Sequence, residues 1–403
     1  MDADRIQSRL QQLGQIGALQ GGGVCRLALS DEDKRGRNLV VDWMCELRLE
    51  VTIDAIGNIV GTRPGRDGGP PIMTGSHIDT VRSGGLYDGA LGVIAGLEAI
   101  ETLNDAAVET RRPLAVAVFT NEEGARFVPD MMGSLVHQGQ HGLESALQST
   151  DRDGRTVGAE LQRIGYQGAT PSGNQRASAY VELHIEQGPV LEHEGVDIGV
   201  VHTVQGISWT KVVIEGASNH AGTTPMALRH DAGFAAGTIT TFVRGLAERI
   251  GNAQVATVGT IEFRPNIVNV IPRYAELTVD LRNIDNAKLL AGEQELHKFL
   301  ERIAAKEGVA IERTQLVRTN PVVFDADVVN LIEQQAQTLG LSTLRMPSGA
   351  GHDAQAFAPN CPTAMIFVPS VGGVSHNIGE FTSATDIANG ANVLLSALLQ
   401  LAA

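Results

Sequence analysis

The sequence predicts an α/β protein, a mainly parallel sheet with helices on both faces, carrying an inserted ferredoxin-like β-α-β-β-α-β unit. Three observations lead there. Leu114 to Thr120, Ala179 to Ile185 and Thr363 to Val368 are unbroken apolar runs, as expected of parallel strands buried on both faces. Helix-spaced segments such as Ala90 to Leu103 alternate with them. Between residues 209 and 322 the order changes to strand, helix, strand, strand, helix, strand, the split β-α-β pattern. At 403 residues the chain exceeds one ordinary core. The expected division is a main domain from 1–208 and 323–403, with a second domain at 209–322.

Taken in order, residues 4–20 and 31–48 carry helix-spaced apolar positions, and Ser30 with Asp33 reads as a cap for the second. Val51 to Ile53 and Ile59 to Thr62 are short strands joined through Gly57-Asn58. An apolar stretch at Ile72-Met73 leads through a glycine-containing turn to the helix at Ala90. Ile198 to Val204 is strand-like. In the insert, Trp209 to Glu215, Gln254 to Phe263, Tyr274 to Leu281 and Val309 to Val317 read as strands, and Ala227 to Ile250 and Ala287 to Lys306 as helices. Beyond it come a helix at Val328 to Leu339, a strand at Ser342 to Arg345, a helix after Gly351-His352-Asp353, and a closing helix from about Ala384.

Hydrophobic residues make up 43 % and charged residues 19 %, ordinary for a globular chain. The formal net charge of −15 argues against nucleic acid or an anionic membrane as partner. No stretch approaches a membrane span, and Met1-Asp2-Ala3-Asp4 does not read as a signal peptide. Cys25, Cys45 and Cys361 lack metal-like spacing and suggest free thiols. The expectation is a cytoplasmic protein.

Chemistry concentrates where strands end. His77 and Asp79 point to the same side of an extended backbone. Asp88 precedes the helix at Ala90, where exposed N–H groups favour a carboxylate. Glu122 and Glu123 follow the run ending at Thr120, His184 closes another, and His376 follows a third. Three imidazoles and two carboxylates without a thiolate suit Zn²⁺, and also Mn²⁺, Co²⁺ or Ni²⁺. Five ligands exceed one catalytic zinc with an open position and suit two ions about 3.5–4 Å apart, with Asp88 as the shared bridge. Adjacent side chains point apart, so one of the pair Glu122-Glu123 can ligate while the other faces the metal-bound water as a general base.

His77-x-Asp79, Tyr87-Asp88-Gly89, Glu122-Glu123-Gly124, His184-Ile185-Glu186-Gln187-Gly188-Pro189, Asn219-His220-Ala221-Gly222-Thr223-Thr224-Pro225-Met226, Gly351-His352-Asp353 and Ser375-His376-Asn377 stand in this order. Together they resemble the hydantoinase/carbamoylase family of dinuclear amidohydrolases, over roughly residues 5 to 400. That family includes N-carbamoyl-L-amino-acid hydrolases, allantoate amidohydrolases and β-ureidopropionases, and is kin to metal-dependent aminoacylases and carboxypeptidase-type exopeptidases. The resemblance implies one ion held by His77 and His184, another by Glu123 and His376, Asp88 bridging, Glu122 as base and Asp79 orienting His77. It implies substrate contacts from Gln187, His220, Asn269, Arg282 and His352, and a homodimer formed through the insert, which acts as a lid, with His220 reaching the partner's site. The kin enzymes also commonly have a non-proline cis peptide after the bridging Asp, here Asp88-Gly89.

The activity expected is cleavage of the ureido C–N bond of an N-carbamoyl-L-amino acid to amino acid, CO₂ and ammonia. Allantoate or another ureido acid is the alternative, followed by N-acyl amino acids or peptides, and by a metal-binding scaffold without activity. His193, His202, His230 and His297 have no partner motif and read as surface or packing residues. Arg126 and Trp209 read as packing or pocket wall.

Overall fold

The computed structural model describes residues 1–173, 176–251 and 253–403. The chain forms two compact units, Met1–His202 with Val323–Ala403, and Thr203–Val322.

The first unit is built on a sheet whose centre is parallel. Leu114–Phe119, Ile72–His77, Ala179–Ile185 and Thr363–Val368 lie side by side and run the same way. Ile59–Arg63 and then Glu50–Ile53 extend one side antiparallel, and Ile198–Val204 extends the other. Val322–Val323 and Thr343–Ser348 both pair with Ile198–Val204. Every residue of the four central strands is buried, which is why they read as apolar runs rather than alternating ones.

Helices cover both faces. Ala90–Asp105 lies so close to the strands that a Cβ at Gly92 would sit 2.6 Å from the Leu183 carbonyl oxygen and 3.1 Å from the Ser76 Cβ. Ala3–Gly14 and Ala384–Leu401 pack beside it. On the opposite face Tyr180 stacks on Phe357 with centroids 4.1 Å apart, and Phe119 and His137 close the cluster. Met132–His137 and Asp353–Phe357 form this second layer.

The second unit is an antiparallel sheet in the order Ala310–Thr319, Gly206–Glu215, Tyr274–Asn283, Val255–Arg264. Ala232–Ile250 and Asn286–Glu307 pack on one face, against Ala275, Leu277, Val279 and Leu281. The alternate residues, among them Asp280 and Arg282, are only half-buried, which produces the alternation seen in the sequence. The connectivity is the β-α-β-β-α-β order expected.

Some boundaries differ from expectation. The helix expected over 227–250 is two elements: a short turn at Met226–Leu228, then a helix restarted by Asp231, whose carboxylate accepts N–H bonds from Gly233 and Phe234. The first helix stops at Gly14 rather than 20, and the first strand of the insert begins at Gly206 rather than 209. Residues 128–178, from which the sequence suggested no element, contain Met132–His137, Leu143–Gln148 and Val157–Ile164. Helices this short display too few turns to show a period. No helix among the described residues is long and apolar enough to cross a membrane.

The helix Asp31–Glu46 begins as its cap signal suggests, with the Ser30 hydroxyl accepting the Asp33 N–H at 3.1 Å. It is tied to the sheet by a fully buried ion pair. Arg37 Nε stands 2.8 Å from Asp33 Oδ2, and the guanidinium also donates to the Gly57 carbonyl and the Thr120 hydroxyl. Arg37→Met should cost about 3–5 kcal/mol, because a buried carboxylate then loses its charge partner and keeps only the Leu29 N–H. Urea unfolding measures this, and adding Asp33→Asn should recover part of the loss; a single variant as stable as the parent would contradict it.

Candidate active site

The four parallel strands end on one edge of the sheet, where ligand sites of such sheets lie. His77 is the last residue of Ile72–His77, and Glu122 and Glu123 follow Leu114–Phe119. His184 is next to last in Ala179–Ile185. His376 lies in the loop leaving Thr363–Val368, and Asp88 in the loop between His77 and the helix Ala90–Asp105.

These six side chains converge on Asp88. Its Oδ1 is 3.5 Å from His77 Nε2 and 3.2 Å from His184 Nε2. Its Oδ2 is 3.4 Å from His376 Nε2, which is in turn 3.2 Å from Glu123 Oε2. Within each of the sets His77–Asp88–His184 and Asp88–Glu123–His376, one ligand atom from every residue falls within 4.8 Å of the others. Asp88 therefore belongs to both, one oxygen to each. Glu122 Oε2 stands 3.3 Å from His77 Nε2, at the edge of the first set.

The turn that presents Asp88 differs from expectation. Among the described residues the cis peptides are Val128–Pro129 and Arg264–Pro265, so Asp88–Gly89 is trans. Gly89 makes the bend instead, at φ 63°, and any Cβ there would lie 2.4 Å from the His77 ring.

The imidazoles are held from behind. His77 Nδ1 donates to the Asp79 carbonyl at 2.9 Å, and His184 Nδ1 to the Ile185 carbonyl at 2.9 Å. A carbonyl only accepts, so Nδ1 carries a hydrogen and Nε2 is the atom turned to Asp88, a lone pair for a cation when the ring is neutral and a donor when it is protonated. The orienting group for His77 is thus the Asp79 backbone; its carboxylate is 3.9 Å away. That carboxylate accepts the N–H groups of Glu122 at 3.2 Å and Glu123 at 3.3 Å, fixing the turn on which both glutamates stand.

The electrostatics follow from crowding acids and imidazoles out of water. Burial pushes Glu122 well above the usual carboxylate range, reinforced by Asp353, Glu123 and Asp88 against the pull of His77. Burial likewise lifts Asp79 to about 6 despite His77. Asp88 goes the other way: burial opposes its charge, but hydrogen bonds from His184, His376 and His77 hold it well below the ordinary value. Hydrogen bonds to Asp88 and Glu123 raise His376 to about 10. No lysine or arginine pairs with Asp88, Glu122 or Glu123 among the described residues. Imidazole nitrogen and carboxylate oxygen converging without a thiolate fit a divalent cation of the Zn, Mn, Co or Ni type.

Of the substrate contacts expected, Gln187 joins this cluster. It adopts a left-handed φ of 57°, and its Nε2 donates to Asp88 Oδ2 at 2.8 Å. His352 is buried with its ring centroid 4.5 Å from that of His184, and its Nε2 is 2.9 Å from the Ser348 hydroxyl. His220, Asn269 and Arg282 belong to the second unit. There His220 Nδ1 accepts the N–H of Gly222 at 3.0 Å, which leaves Nε2 as its outward donor. The Asn269 carbonyl accepts the neighbouring Ala221 N–H, and Arg282 makes a two-point pair with Asp280. Arg126 packs, as expected, against Asp151 and Glu160.

Sequence reasoning missed Glu182, Ser375 and Glu380. Glu182 is fully buried, accepting the Ser76 hydroxyl at 2.6 Å and the Ala354 N–H at 2.8 Å. Its signal was a charged residue inside an apolar strand, two positions before His184.

Protons and a divalent cation compete for the same imidazoles. His77, His184 and His376 all hold protons above the usual histidine range, and a protonated ring cannot ligate. Affinity should therefore fall as pH falls, by up to about tenfold per unit for each proton displaced. Calorimetric titration of chelator-stripped protein at pH 6 and pH 8, in buffers of different ionisation enthalpy, measures this. Binding with no proton release would contradict it.

Comparison with known proteins agrees with this geometry. The pattern of peptidase family M20/M25/M40 matches residues 73–400. The chain is 41 % identical to an N-carbamoyl-L-amino-acid amidohydrolase of Rhizobium meliloti, over all of this chain and 97 % of that one. It is 36 % identical to an allantoate amidohydrolase of Escherichia coli, over 98 % and 97 % of the two chains. A crystal structure of a hydantoinase/carbamoylase family amidase from Burkholderia multivorans superposes with a TM-score of 0.97 at 44 % identity, covering 100 % of this chain and 98 % of that one. The chain belongs to peptidase family M20/M25/M40, and within it to the hydantoinase/carbamoylase amidases.

Proposed function

We propose that this protein is a two-metal amidohydrolase that cleaves the ureido C–N bond of an N-carbamoyl-L-amino acid to amino acid, CO₂ and ammonia. The observation that carries the two-ion reading is the division of Asp88, with Oδ1 facing His77 and His184 and Oδ2 facing His376. His77 and His184 would hold one ion, Glu123 and His376 the other, with Asp88 shared. When bound, such ions supply Lewis acidity toward a carbonyl and lower the pKa of water. Similarity to the Rhizobium meliloti enzyme supports the N-carbamoyl substrate, and similarity to the Escherichia coli enzyme keeps allantoate as the second reading.

Glu122 is the general base. Its carboxyl sits at the edge of the ligand set with a raised proton affinity, suited to taking a proton from water and returning it to the leaving amine. The Asp79 carboxylate holds the Glu122 and Glu123 amides so that one side chain faces the reaction and the other the cation. Arg282 with Asn269 would clamp the substrate carboxylate, as guanidinium and amide donors can. Gln187 and His352 would line the ureido side.

The protein would act as a homodimer joined through the second unit, with His220 stabilising the developing oxyanion in the partner's site. Support comes from the edge strand Val255–Arg264, which is exposed along most of its length and open to pairing. Three free thiols, Cys25, Cys45 and Cys361, support a cytoplasmic setting.

Three measurements test this. Ammonia release from N-carbamoyl amino acids, allantoate and dipeptides should be fastest with the first class. Glu122→Gln should keep its metal and lose about 10²–10⁴-fold in turnover, whereas Glu123→Gln should weaken metal binding; the reverse pattern would sink the role assignment. His220→Ala should lose about 10²–10³-fold, the worth of one oxyanion donor. Mixing it with Glu122→Gln, with subunit exchange verified, should restore one good site per dimer; no recovery would place His220 in its own site or in none.

A further inference from the structure

Glu380 lies four residues after His376 and is 4 % exposed. Its carboxylate spans two loops. Oε1 accepts the N–H groups of Tyr87 and Asp88, each at 3.1 Å. Oε2 lies 3.1 Å from the hydroxyl of Ser375, the residue before His376. Ser375 Oγ is also 3.2 Å from Asp88 Oδ2, so its one hydrogen serves either carboxylate. The site is built around this side chain: a Cβ at Gly85 would lie 2.0 Å from Glu380 Oε1. Around it, the 376–380 turn is closed by the Glu380 N–H on the Asn377 carbonyl, and Tyr87 packs edge-on against Phe381 at 6.1 Å.

The three histidines of the cluster are not secured alike. His77 and His184 stand on strands, each ring fixed through Nδ1 by a backbone carbonyl. His376 stands on a loop, its side chain is 51 % exposed, and among the described residues no acceptor meets its Nδ1. Its ring is therefore placed by the backbone that carries it. Glu380 joins that loop to the backbone of the Asp88 loop, through its bonds to the Tyr87 and Asp88 N–H groups and to Ser375.

We propose that Glu380 is a positioning residue for the ligand set Asp88–Glu123–His376, holding His376 in register with the second oxygen of Asp88 and so setting the affinity of one of the two metal sites. The proposal rests on the two-ion reading. It requires the shape of the side chain rather than its charge: an amide keeps an oxygen for the two N–H groups, and its NH₂ can meet the Ser375 hydroxyl, which then turns its hydrogen to Asp88.

The test is stepwise Co²⁺ binding to chelator-stripped protein, followed by visible absorption and by competition with a chelator. The unaltered protein should take up two ions. Glu380→Ala should weaken one of them by about 10–100-fold, the usual effect of removing an outer partner of a ligand, and leave the other within about threefold. Glu380→Gln should restore most of the loss. Unchanged affinity for both ions in Glu380→Ala, equal weakening of both, or a Glu380→Gln variant as impaired as Glu380→Ala would each overturn the proposal. If Glu380→Ala does not fold, Ser375→Ala decides: it leaves the Oε1 bonds in place, removes the Oε2 link together with the hydroxyl's contacts to Asp88 and Gln187, and should weaken the same ion while leaving the other within about threefold; equal weakening of both would overturn the proposal. A single ion in the unaltered protein overturns the two-ion reading itself, and is seen before any variant is made.

Discussion

The buried carboxylate of Asp88 is the constraint on which the rest of the site depends. It is 5 % exposed and has three imidazoles on its two oxygens, with Gln187 and Ser375 filling the remaining approaches. A charge in such a place is retained only if cationic groups surround it. Crowding Glu122 and Glu123 into the same space adds negative charge that the histidines must share. The cluster differs from a structural ion pair such as Arg37–Asp33, in which a guanidinium meets one carboxylate: here three imidazoles and three carboxylates crowd together, a donor set matched to a cation.

The fold serves this constraint through the parallel arrangement of its central strands. Four neighbouring strands running one way deliver four different loops to one edge, so ligands far apart in sequence meet. Close packing then sets the distances. Gly92 lets the helix behind Asp88 lie against the strand that carries His184, and Gly89 lets the turn pass the His77 ring. On the other side, Arg37 bonds Thr120, at the foot of the turn that carries Glu122 and Glu123. Each of these contacts acts on the position of a candidate ligand.

Much of this was legible before any coordinate. Runs such as Ala179–Ile185 are buried on both faces, and burial on both faces is what an unbroken apolar string encodes. The residues that converge on Asp88 were legible as candidate ligands because chemistry restricts residue type more than fold does. Asp79 shows the limit. Its nearness to His77 is plain from spacing, but that the carbonyl, and not the carboxylate, meets the imidazole depends on the path of the chain after the strand. The turn at Gly89 shows another: a trans peptide with positive φ answers the same geometric need as the cis bond that the resemblance implied. Glu380 was invisible because its partners are two backbone N–H groups nearly 300 residues upstream, and a backbone amide leaves no mark in a sequence. The short helices between 132 and 164 went unseen because six to eight residues cannot display a period.

The two halves of the ligand cluster differ in how they are held, and that difference bears on how a substrate can enter. His77 and His184 have buried side chains and are anchored on strands, each with a carbonyl behind its ring. His376 is half-exposed and borne on a loop. The open face of the cluster is therefore at His376, while the Glu123 side chain is buried and Glu122, 8 % exposed, sits against His77. A raised proton affinity can persist there because solvent does not quench it. One half of the cluster is thus sheltered, with each ring fixed from behind, while in the other His376 is half-exposed and must be held in place by contacts its own ring does not make.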